Sequence, residues 1–488
     1  MIPRQELRDL ATDFGLDPNV VEKDYALGWL LAGINHHPEI SDQWLFKGGT
    51  CLKKCFFETY RFSEDLDFTV LDPAHIDQGF LERVFGEIAD WIYEQCGLEF
   101  PADTRTFDVY ANPRGTPSVQ GKVGYRGPLE RQRSIPRIRL DLTNDERVVL
   151  EADLRDVHHP YSDRPEGGIR ILTYCFEELF AEKVRAMAER LRPRDLYDVV
   201  HLYRRDDLVA NRSLVVSTLA AKCEFKGIEV PTVASLEAHP ERAALESDWD
   251  AMLRHQLPAL PGFSEFWGEM PAAFEWIFGE QIRPVPASIQ VHGGGALDES
   301  WRAPPMGYSW RQEYGVSAPL ELIRFAAANH LCVNLTYRNE QGDVGTRLIE
   351  PYSLRRTAEG RLLLHAVRHT DGQARSYRVD RIQDATVSQK SFSPRYRIEL
   401  TAAGPLAAPQ STTRGATAVV TRQAHPIRAL SRLKPASRVQ TSPSYVVQCL
   451  YCQKKFTRQT YDTRLNEHKT KDGWPCPGRT GHLVEAKY

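Results

Sequence analysis

The sequence predicts an α+β protein of several domains, and three observations support this prediction. Residues 1–285 alternate strand-like and helix-like runs, and their second half is the more helical. Residues 315–401 carry short, evenly spaced alternating strands, which are typical of a small β-barrel. Residues 444–488 are too few to bury a core, yet they carry clustered cysteines and histidines, which predicts a short zinc-binding module.

Changes in composition set the predicted boundaries between these domains. Proline and glycine clusters mark a linker at 286–314. A stretch rich in Ala, Pro, Ser and Thr with few apolar residues predicts a disordered linker at 402–443. The chain has 488 residues, which is enough for about three domains.

The overall composition restricts the class of protein. The net charge of −3 neither favours nor excludes nucleic acid as a partner. No run of eighteen apolar residues occurs, so we expect no transmembrane helix and no membrane partner. The N-terminus lacks a signal-peptide pattern, and most of the nine cysteines are scattered in apolar surroundings. Both observations favour a reducing cytoplasm.

The most informative motif pairs a glycine turn with an acidic strand. Gly48 and Gly49 precede a predicted helix, and a predicted strand then carries Asp65 and Asp67. Side chains two apart on a strand point to the same face, and the apolar residues between them predict a buried opposite face. Backbone N–H groups at a glycine turn can approach a phosphate, and paired carboxylates bind divalent metals. The pattern therefore predicts a site for a metal and a nucleoside triphosphate.

These motifs resemble those of the AbiEii/AbiGii toxin family. Its members are nucleotidyltransferase-like relatives of the polymerase-beta superfamily and the toxin half of type IV toxin–antitoxin and phage-abortive systems. The resemblance covers residues 1–285 and implies a polymerase-beta-like core with a helical second half. The matching segments, in the family's order, are 21–25, 48–54, 61–68, 177–183 and 190–198.

The resemblance implies a magnesium site. Asp65 and Asp67 would hold the ion, and the superfamily also expects a third carboxylate on a neighbouring strand. Asp141 lies in a cleanly alternating run and is our choice. Asp153 lies in the next alternating run and remains the competitor.

The resemblance also implies residues for the triphosphate. Lys54 and Lys183 would stabilise charge on the leaving pyrophosphate, because nucleotidyl transfer depends on positioning and charge neutralisation. One or both of Asp195 and Asp198 would complete the pocket from a helical layer. The residues expected to contact the nucleotide are Gly48, Gly49, Thr50, Lys54 and Ser63.

The strands of residues 315–401 resemble a WYL domain, which is an Sm/SH3-like regulatory barrel. The tripeptide that gives this family its name is absent, since Leu362, Leu363 and Leu364 stand in its place. Any family ligand contact at that strand is therefore in doubt.

The C-terminal segment carries a predicted zinc site. Cys449 and Cys452 form a Cys-x-x-Cys pair, which lets two thiolates share one tetrahedral Zn²⁺. His468 and Cys476 are our choice for the remaining ligands, with His482 as the alternative fourth ligand. A redox role for the cysteine pair would need a βαβ context, which this segment does not show.

The C-terminal segment is also basic. Residues 411–488 contain 14 Lys and Arg against 4 Asp and Glu, and aromatic residues lie between the basic ones. Such a segment suits binding to a phosphate backbone. A basic tail that only aids solubility is the alternative.

The predicted function is that of a magnesium-dependent nucleotidyltransferase toxin. It would transfer a nucleotide from an NTP to RNA, with tRNA favoured by family analogy, in abortive infection or antiviral defence, and a cognate antitoxin would be its partner. The alternative is a regulatory nucleic-acid-binding or ligand-sensing protein with a degenerate transferase scaffold. The intact Gly48, Gly49, Lys54, Asp65 and Asp67 argue against that alternative.

Overall fold

The computed structural model places most of the chain. The described residues are 1–57, 59–130, 135–205, 210–279, 286–291, 295–301, 303, 319–400, 444–449, 454–458, 465, 468–469, 475–476 and 481–487. The predicted linker at 402–443 lies outside them, as does part of the predicted linker at 286–314.

The helices lie mainly in the first 280 residues. They are α1 (Arg4–Phe14), α2 (Pro18–His36), α3 (Gly48–Cys51), α4 (Gln78–Cys96), α5 (Phe176–Arg190), α6 (Pro193–Arg204), α7 (Arg212–Lys226), α8 (Val233–Glu237), α9 (Arg242–Ser247), α10 (Trp249–Leu253), α11 (Phe263–Phe278) and α12 (Leu320–Ala328). A π-helical turn, Leu52–Phe56, continues α3.

The strands that the structure describes form four sheets. They are β1 (Trp44–Lys47), β2 (Asp65–Val70), β3 (Thr106–Ala111), β4 (Pro117–Gly124), β5 (Arg137–Thr143), β6 (Asp153–Asp156), β7 (Arg170–Thr173), β8 (Leu331–Arg338), β9 (Val344–Arg356), β10 (Leu362–Arg368), β11 (Gln373–Arg378), β12 (Ile382–Ser391), β13 (Ser444–Cys449), β14 (Lys455–Arg458), β15 (His468–Lys469), β16 (Pro475–Cys476) and β17 (Gly481–Lys487).

The first sheet has seven strands in the order β3-β4-β5-β2-β1-β7-β6. Strand β2 lies at its centre, parallel to β5 and antiparallel to β1. Leu66 and Phe68 on β2 are fully buried, while Asp65 and Asp67 alternate with them and are half-buried. The alternation therefore fixes the acidic face of the central strand. The mixture of this sheet with separate helical layers confirms the predicted α+β class.

Helices α5 to α7 and α11 form the helical layer that the sequence predicted for the second half. Helix α6 begins at Pro193, whose fixed φ suits a first helical turn and whose missing N–H costs nothing there. Asn211 begins α7, because its side chain accepts hydrogen bonds from the backbone N–H groups of Ser213 and Leu214.

The WYL-like segment folds as α12 followed by a five-stranded antiparallel sheet in the order β11-β10-β9-β8-β12. Its core is continuous with the core around the seven-stranded sheet, and one hydrophobic cluster runs from Ile2 to Leu400. Residues Met1–Thr412 accordingly form one compact unit.

Specific contacts join the two sheets of this unit. The Tyr197 hydroxyl on α6 donates a buried 2.8 Å hydrogen bond to Asn329 Oδ1, just after α12. Arg204 on α6 donates to the Asn329 carbonyl at 3.1 Å. Gly15 approaches α12 so closely that a Cβ there would lie 2.6 Å from Leu322 Cδ2. The five-stranded sheet is thus packed onto the helical layer through buried polar and apolar contacts.

The second unit is Thr413–Tyr488. Among its described residues, β13 pairs with both β14 and β17, and β15 pairs with β16. No described helix of the chain has the length and apolar character needed to cross a bilayer.

Candidate active site and metal centre

Three carboxylates cluster on two adjacent strands of the seven-stranded sheet. In the parallel pairing of β2 with β5, Asp67 is the direct neighbour of Asp141 and Asp65 is the neighbour of Arg139. In the antiparallel pairing of β2 with β1, Asp67 is also the neighbour of Lys47. The register therefore forms a row, Lys47–Asp67–Asp141, with Asp65 two residues along the strand.

The environment of the cluster raises the pKa values of two of its carboxylates. Burial, followed by the charge of Asp141, raises the pKa of Asp67 to about 6, although Lys47 and Lys183 lower it. Burial and the charge of Asp65 likewise raise the pKa of Asp141. Carboxylates that repel one another in a partly desolvated site are suited to share a divalent cation. This donor set fits the magnesium ion that the sequence predicted.

The structure favours Asp141 over Asp153 as the third carboxylate. Asp153 lies on β6, the edge strand, and the strands β1 and β7 separate it from β2. It pairs with Thr173 in the register, and its carboxylate lies 3.8 Å from Arg155. Asp141, by contrast, is on the strand adjacent to β2.

The glycine turn packs directly against the acidic strand. Gly48 has a φ of +81°, which favours glycine, and a Cβ there would lie 2.1 Å from Asp67 Oδ2. A Cβ on Gly49 would lie 2.7 Å from Arg61 and 3.2 Å from Ser63 Oγ. Gly48 therefore lets the turn approach Asp67, and Gly49 lets it approach Arg61 and Ser63.

Thr50 and Lys54 were expected to contact the nucleotide, but their side chains contact other parts of the protein. The buried Thr50 hydroxyl donates to the backbone carbonyl of Asp65 and so fixes the start of β2. Lys54 is only 1% exposed, and its ammonium donates to Asp24 Oδ2 at 2.6 Å and to the His158 carbonyl at 3.2 Å. The structure does not bring Lys54 to the carboxylates, which corrects its predicted contact with the triphosphate.

Lys183 and Asp198 meet beside the carboxylates in a buried ionic cluster. Asp198 accepts two hydrogen bonds from Arg61, at 2.7 and 2.9 Å, and lies 2.7 Å from Lys183 Nζ. Burial alone would raise the pKa of Asp198, but Arg61 and Lys183 hold it well below its usual range. The cluster ties the start of β2 to α5 and α6, because each of the three residues comes from a different element.

Asp195 acts through an arginine. It is fully buried and accepts hydrogen bonds from Arg190 at 2.8 and 2.9 Å, besides capping α6 through the Arg192 backbone N–H. Arg190 in turn lines a cleft together with Asp67. Asp195 therefore positions Arg190 and does not itself line the site.

Two clefts flank the acidic strand. The first, of about 450 Å³, contains Asp65 and is called here the Asp65 cleft. The second, of about 210 Å³, contains Asp67 and is called the Asp67 cleft. The Asp65 cleft is lined by Lys23, Glu64, Asp65, Lys122, Arg137, Arg139 and Arg194. The Asp67 cleft is lined by Lys47, Gly48, Asp67, Glu146, Leu179, Glu182, Lys183, Arg185, Ala186, Glu189 and Arg190.

Several of these lining residues were not predicted from the sequence. Lys47 precedes the glycine turn, and Arg190 lies five residues before Asp195, so the position of each beside a motif is a local signal for both. Lys122 reaches the site only because β4 pairs with β5, where Lys122 is the neighbour of Arg139. No local signal identifies such a cross-strand neighbour.

The second unit contains a candidate metal centre. The ligand atoms of Cys449, His468 and Cys476 all lie within 4.8 Å of one another. His468 and Cys476 are direct neighbours in the pairing of β15 with β16. The Sγ atoms of Cys449 and Cys476 are 3.8 Å apart, far beyond the ~2.05 Å of a disulfide.

The other two predicted ligands are less defined. Cys452 lies outside the described residues, and for His482 only the backbone, on β17, is described. The structure therefore brings together three of the residues predicted for zinc binding. All eight described cysteines are free of disulfides.

Comparisons with known proteins bear on both halves of the first unit. Residues 29–280 match the model of the family described as "Nucleotidyl transferase AbiEii toxin, Type IV TA system", a stretch of just over half the chain. Residues 319–387 match the WYL domain model. No curated protein matches the chain in sequence.

Solved structures give more distant likenesses. The nucleotidyltransferase toxin MenT4 from Mycobacterium tuberculosis H37Rv is 18% identical, with a TM-score of 0.40, over 58% of this chain and 91% of that one. JHP933 from Helicobacter pylori is 18% identical, with a TM-score of 0.35, over 54% of this chain and 93% of that one. The match to the family model, together with the motifs on β2, α3, α5 and α6, carries the assignment. The chain belongs to the AbiEii family of nucleotidyltransferase toxins of type IV toxin–antitoxin systems, and it also contains a WYL domain.

Proposed function

We propose that this nucleotidyltransferase transfers a nucleotide from an NTP to an RNA acceptor in a magnesium-dependent reaction, with tRNA as the acceptor favoured by family analogy. The observation that carries the proposal is the row of Asp67 and Asp141 beside Asp65, in which burial, followed by repulsion from a neighbouring carboxylate, raises two carboxyl pKa values. Carboxylates buried so close together lower the stability of the folded protein, and the binding of a cation would relieve their repulsion.

Asp65, Asp67 and Asp141 would hold the magnesium. When bound there, the ion would neutralise charge on the transferring phosphate and assist the attacking hydroxyl. The residues of the chain supply the rest of the site. The glycine turn lets the backbone approach the proposed metal ligand closely, since a Cβ at Gly48 would lie 2.1 Å from Asp67 Oδ2.

The Asp67 cleft is the proposed site of the triphosphate. Lys47, Lys183 and Arg190 line it next to Asp67. Their ion pairs with Glu182, Asp198 and Asp195 fix their side chains before substrate binds. Prearranged cations stabilise charge that develops on a leaving pyrophosphate without reorganisation at the moment of reaction.

A transfer assay tests this proposal. The protein, a labelled NTP, magnesium and total RNA are incubated together, and label in RNA is measured. Asp65→Asn should reduce transfer by at least a hundredfold, because a carboxylate at a metal site contributes several kcal/mol to catalysis. Asp153→Asn is the matched control and should keep activity, since Asp153 lies at the sheet edge. Full transfer by Asp65→Asn would refute the proposed metal site, and no transfer by the wild type to any RNA would refute the proposed acceptor.

We further propose that the metal centre of the second unit binds one structural Zn²⁺. Two sulfurs bound to one zinc at about 2.3 Å with tetrahedral angles would lie about 3.8 Å apart, and the observed separation of Cys449 and Cys476 is 3.8 Å. The described apolar cluster around them contains only Leu465 and Phe456 besides the two cysteines. A module with so small a core gains much of its folding free energy from the metal.

The remaining assignments follow from the family and the charge pattern. A cognate antitoxin and a role in abortive infection or antiviral defence are expected of a type IV toxin. The basic C-terminal segment would contribute nucleic-acid binding, and the free cysteines agree with a cytoplasmic location.

A further inference from the structure

We propose that the Asp65 cleft is the acceptor site, where four cations bind successive phosphates of a single-stranded RNA next to its reacting end. These cations are Lys122, Arg137, Arg139 and Arg194. The inference rests on the proposed function and adds to it the location and the chemistry of acceptor binding.

The topology places the two clefts on different sides of strand β2. Besides β2, the Asp65 cleft is lined from β4 and β5, with one residue each from α2 and α6, and the Asp67 cleft is lined mainly from β1, α3 and α5. In the sheet order, β2 lies between β5 and β1. In-line transfer requires the attacking hydroxyl and the leaving group on opposite sides of the phosphorus. With the triphosphate on the β1 side, an acceptor bound in the Asp65 cleft would approach from the β5 side.

The two clefts differ in whether their cations form ion pairs with acidic residues. In the Asp67 cleft each cation already has an acidic partner, as Lys47 has Glu146 and Glu182, and Arg185 has Glu189. In the Asp65 cleft, Lys23 pairs with Glu64 at 2.7 Å. The other four cations, Lys122, Arg137, Arg139 and Arg194, form no ion pair within 4.0 Å among the described residues. Arg139 and Arg194 feel the charges of Asp141 and Asp65 only at longer range.

One of these cations, Arg194, is partly buried and has a hydrogen-bond donor that no described residue satisfies. Arg194 is half-buried, and its Nε is buried without a hydrogen-bond partner among the described residues. Burial, followed by the nearby charge of Arg61, lowers the pKa of Arg194. A buried polar group without a partner costs free energy, and a bound phosphate would remove that cost. Arg194 is therefore prepared for an anionic ligand.

The arrangement suits a chain of phosphates better than one compact triphosphate. Arg137 and Arg139 lie two residues apart on the same face of β5, about 6.7 Å along the strand, and Lys122 is the neighbour of Arg139 on β4. Arg139 is also the neighbour of Asp65. The row of cations thus leads along the sheet to the proposed metal site, as a strand that ends there would require.

Steady-state kinetics with the full-length protein test this assignment. The double variant R137Q/R139Q should raise the KM for a single-stranded RNA acceptor about tenfold or more, with the KM for NTP unchanged. Both arginines are exposed, so the fold should survive, which a thermal melt checks. R170Q, an exposed arginine on β7 outside both clefts, is the matched control and should match the wild type.

The salt dependence of RNA binding gives a second readout. Loss of two phosphate contacts should reduce the slope of log K against log salt by about 1.4, since each contact on a single strand contributes about 0.7. The basic C-terminal segment is the same in all variants, so a difference reports the cleft. An unchanged RNA KM and slope would overturn the assignment, and a raised NTP KM instead would assign the cleft to the triphosphate. Absence of transfer by the wild type would instead count against the proposed function.

Discussion

Replacing Asp67 with asparagine should abolish transfer and, without divalent metal, make the protein more stable. The reason is the burial of the Asp67 charge, followed by its repulsion from Asp141 on β5. Burial and the charge of Asp141 raise the pKa of Asp67 to about 6, so the ionised carboxylate is disfavoured in the folded state. Asparagine has nearly the same shape and carries no charge, and it therefore removes the repulsion together with the metal ligand.

The size of the gain follows from the pKa shift. The pKa of Asp67 rises from 3.8 to about 6, and each unit corresponds to about 1.4 kcal/mol, which gives at most about 3 kcal/mol. Because the side chain is only half-buried, solvent screens part of the repulsion. We therefore expect a gain of about 1–2 kcal/mol at pH 8.

The pH dependence has a definite sign. Asp67 has a raised pKa in the folded state, so the folded protein holds its proton more tightly than the unfolded chain does. Wild-type stability at this site therefore falls as the pH rises from about 4 to about 6 and stays low above that range. The advantage of Asp67→Asn should be full at pH 8 and should shrink to a small fraction at pH 4.

Denaturant unfolding with a chelator, at pH 8 and pH 4, measures this difference. Asp156→Asn, an exposed acid at the end of β6, is the control and should change stability little at either pH. Magnesium should then stabilise the wild type at pH 8 but not Asp67→Asn. Equal stability of wild type and Asp67→Asn at pH 8, or a gain that persists undiminished at pH 4, would refute the proposed carboxylate repulsion.

Two further predictions concern the other parts of the chain. Metal analysis should find about one zinc per chain. The zinc should be lost in Cys449→Ser and retained in the control Cys175→Ser. A zinc-free wild type purified without chelator would contradict the proposed centre. Asn329→Ala should destabilise the first unit by about 1–3 kcal/mol, because the buried Tyr197 hydroxyl loses its partner. A fragment of residues 1–285 should accordingly melt well below a fragment of residues 1–412, and equal melting temperatures would show that the shared core contributes nothing.

The sequence could predict the acidic strand because its signal is local. Asp65 and Asp67 alternate with apolar residues, and that alternation alone fixes which face they share. The family model matches residues 29–280, a range that includes this strand. The choice between Asp141 and Asp153, however, depends on the order of strands in the sheet, which no local pattern encodes.

Lys54 shows why motif position does not determine side-chain direction. It ends the glycine motif, and a regular α-helix was expected there. The structure instead has a π-helical turn, Leu52–Phe56. Such a turn has more residues per turn than an α-helix, so it changes the direction of every side chain within it. Lys54 consequently points into the core, where Asp24 from α2 neutralises it at 2.6 Å.

Long-range ion pairs account for most of the remaining differences. Arg61 and Asp198 are 137 residues apart in sequence, yet they form the bidentate pair that holds Lys183 beside the carboxylates. The sequence predicts that Asp198 belongs to the pocket, but it does not identify Arg61 as the partner of Asp198. The charge balance of such a cluster emerges only when the elements are packed.

Helix α6 connects the proposed chemistry with the WYL domain. Asp198 holds Lys183 at 2.7 Å, while the adjacent Tyr197 donates to Asn329 beside the five-stranded sheet. Consecutive residues on an α-helix point about 100° apart, so one short segment contacts both the ionic cluster and the WYL domain. Because both contacts are buried, no solvent layer separates Asn329 from α6. A displacement of Asn329 would therefore displace α6. The WYL domain is thus part of the support of the helix that positions Lys183.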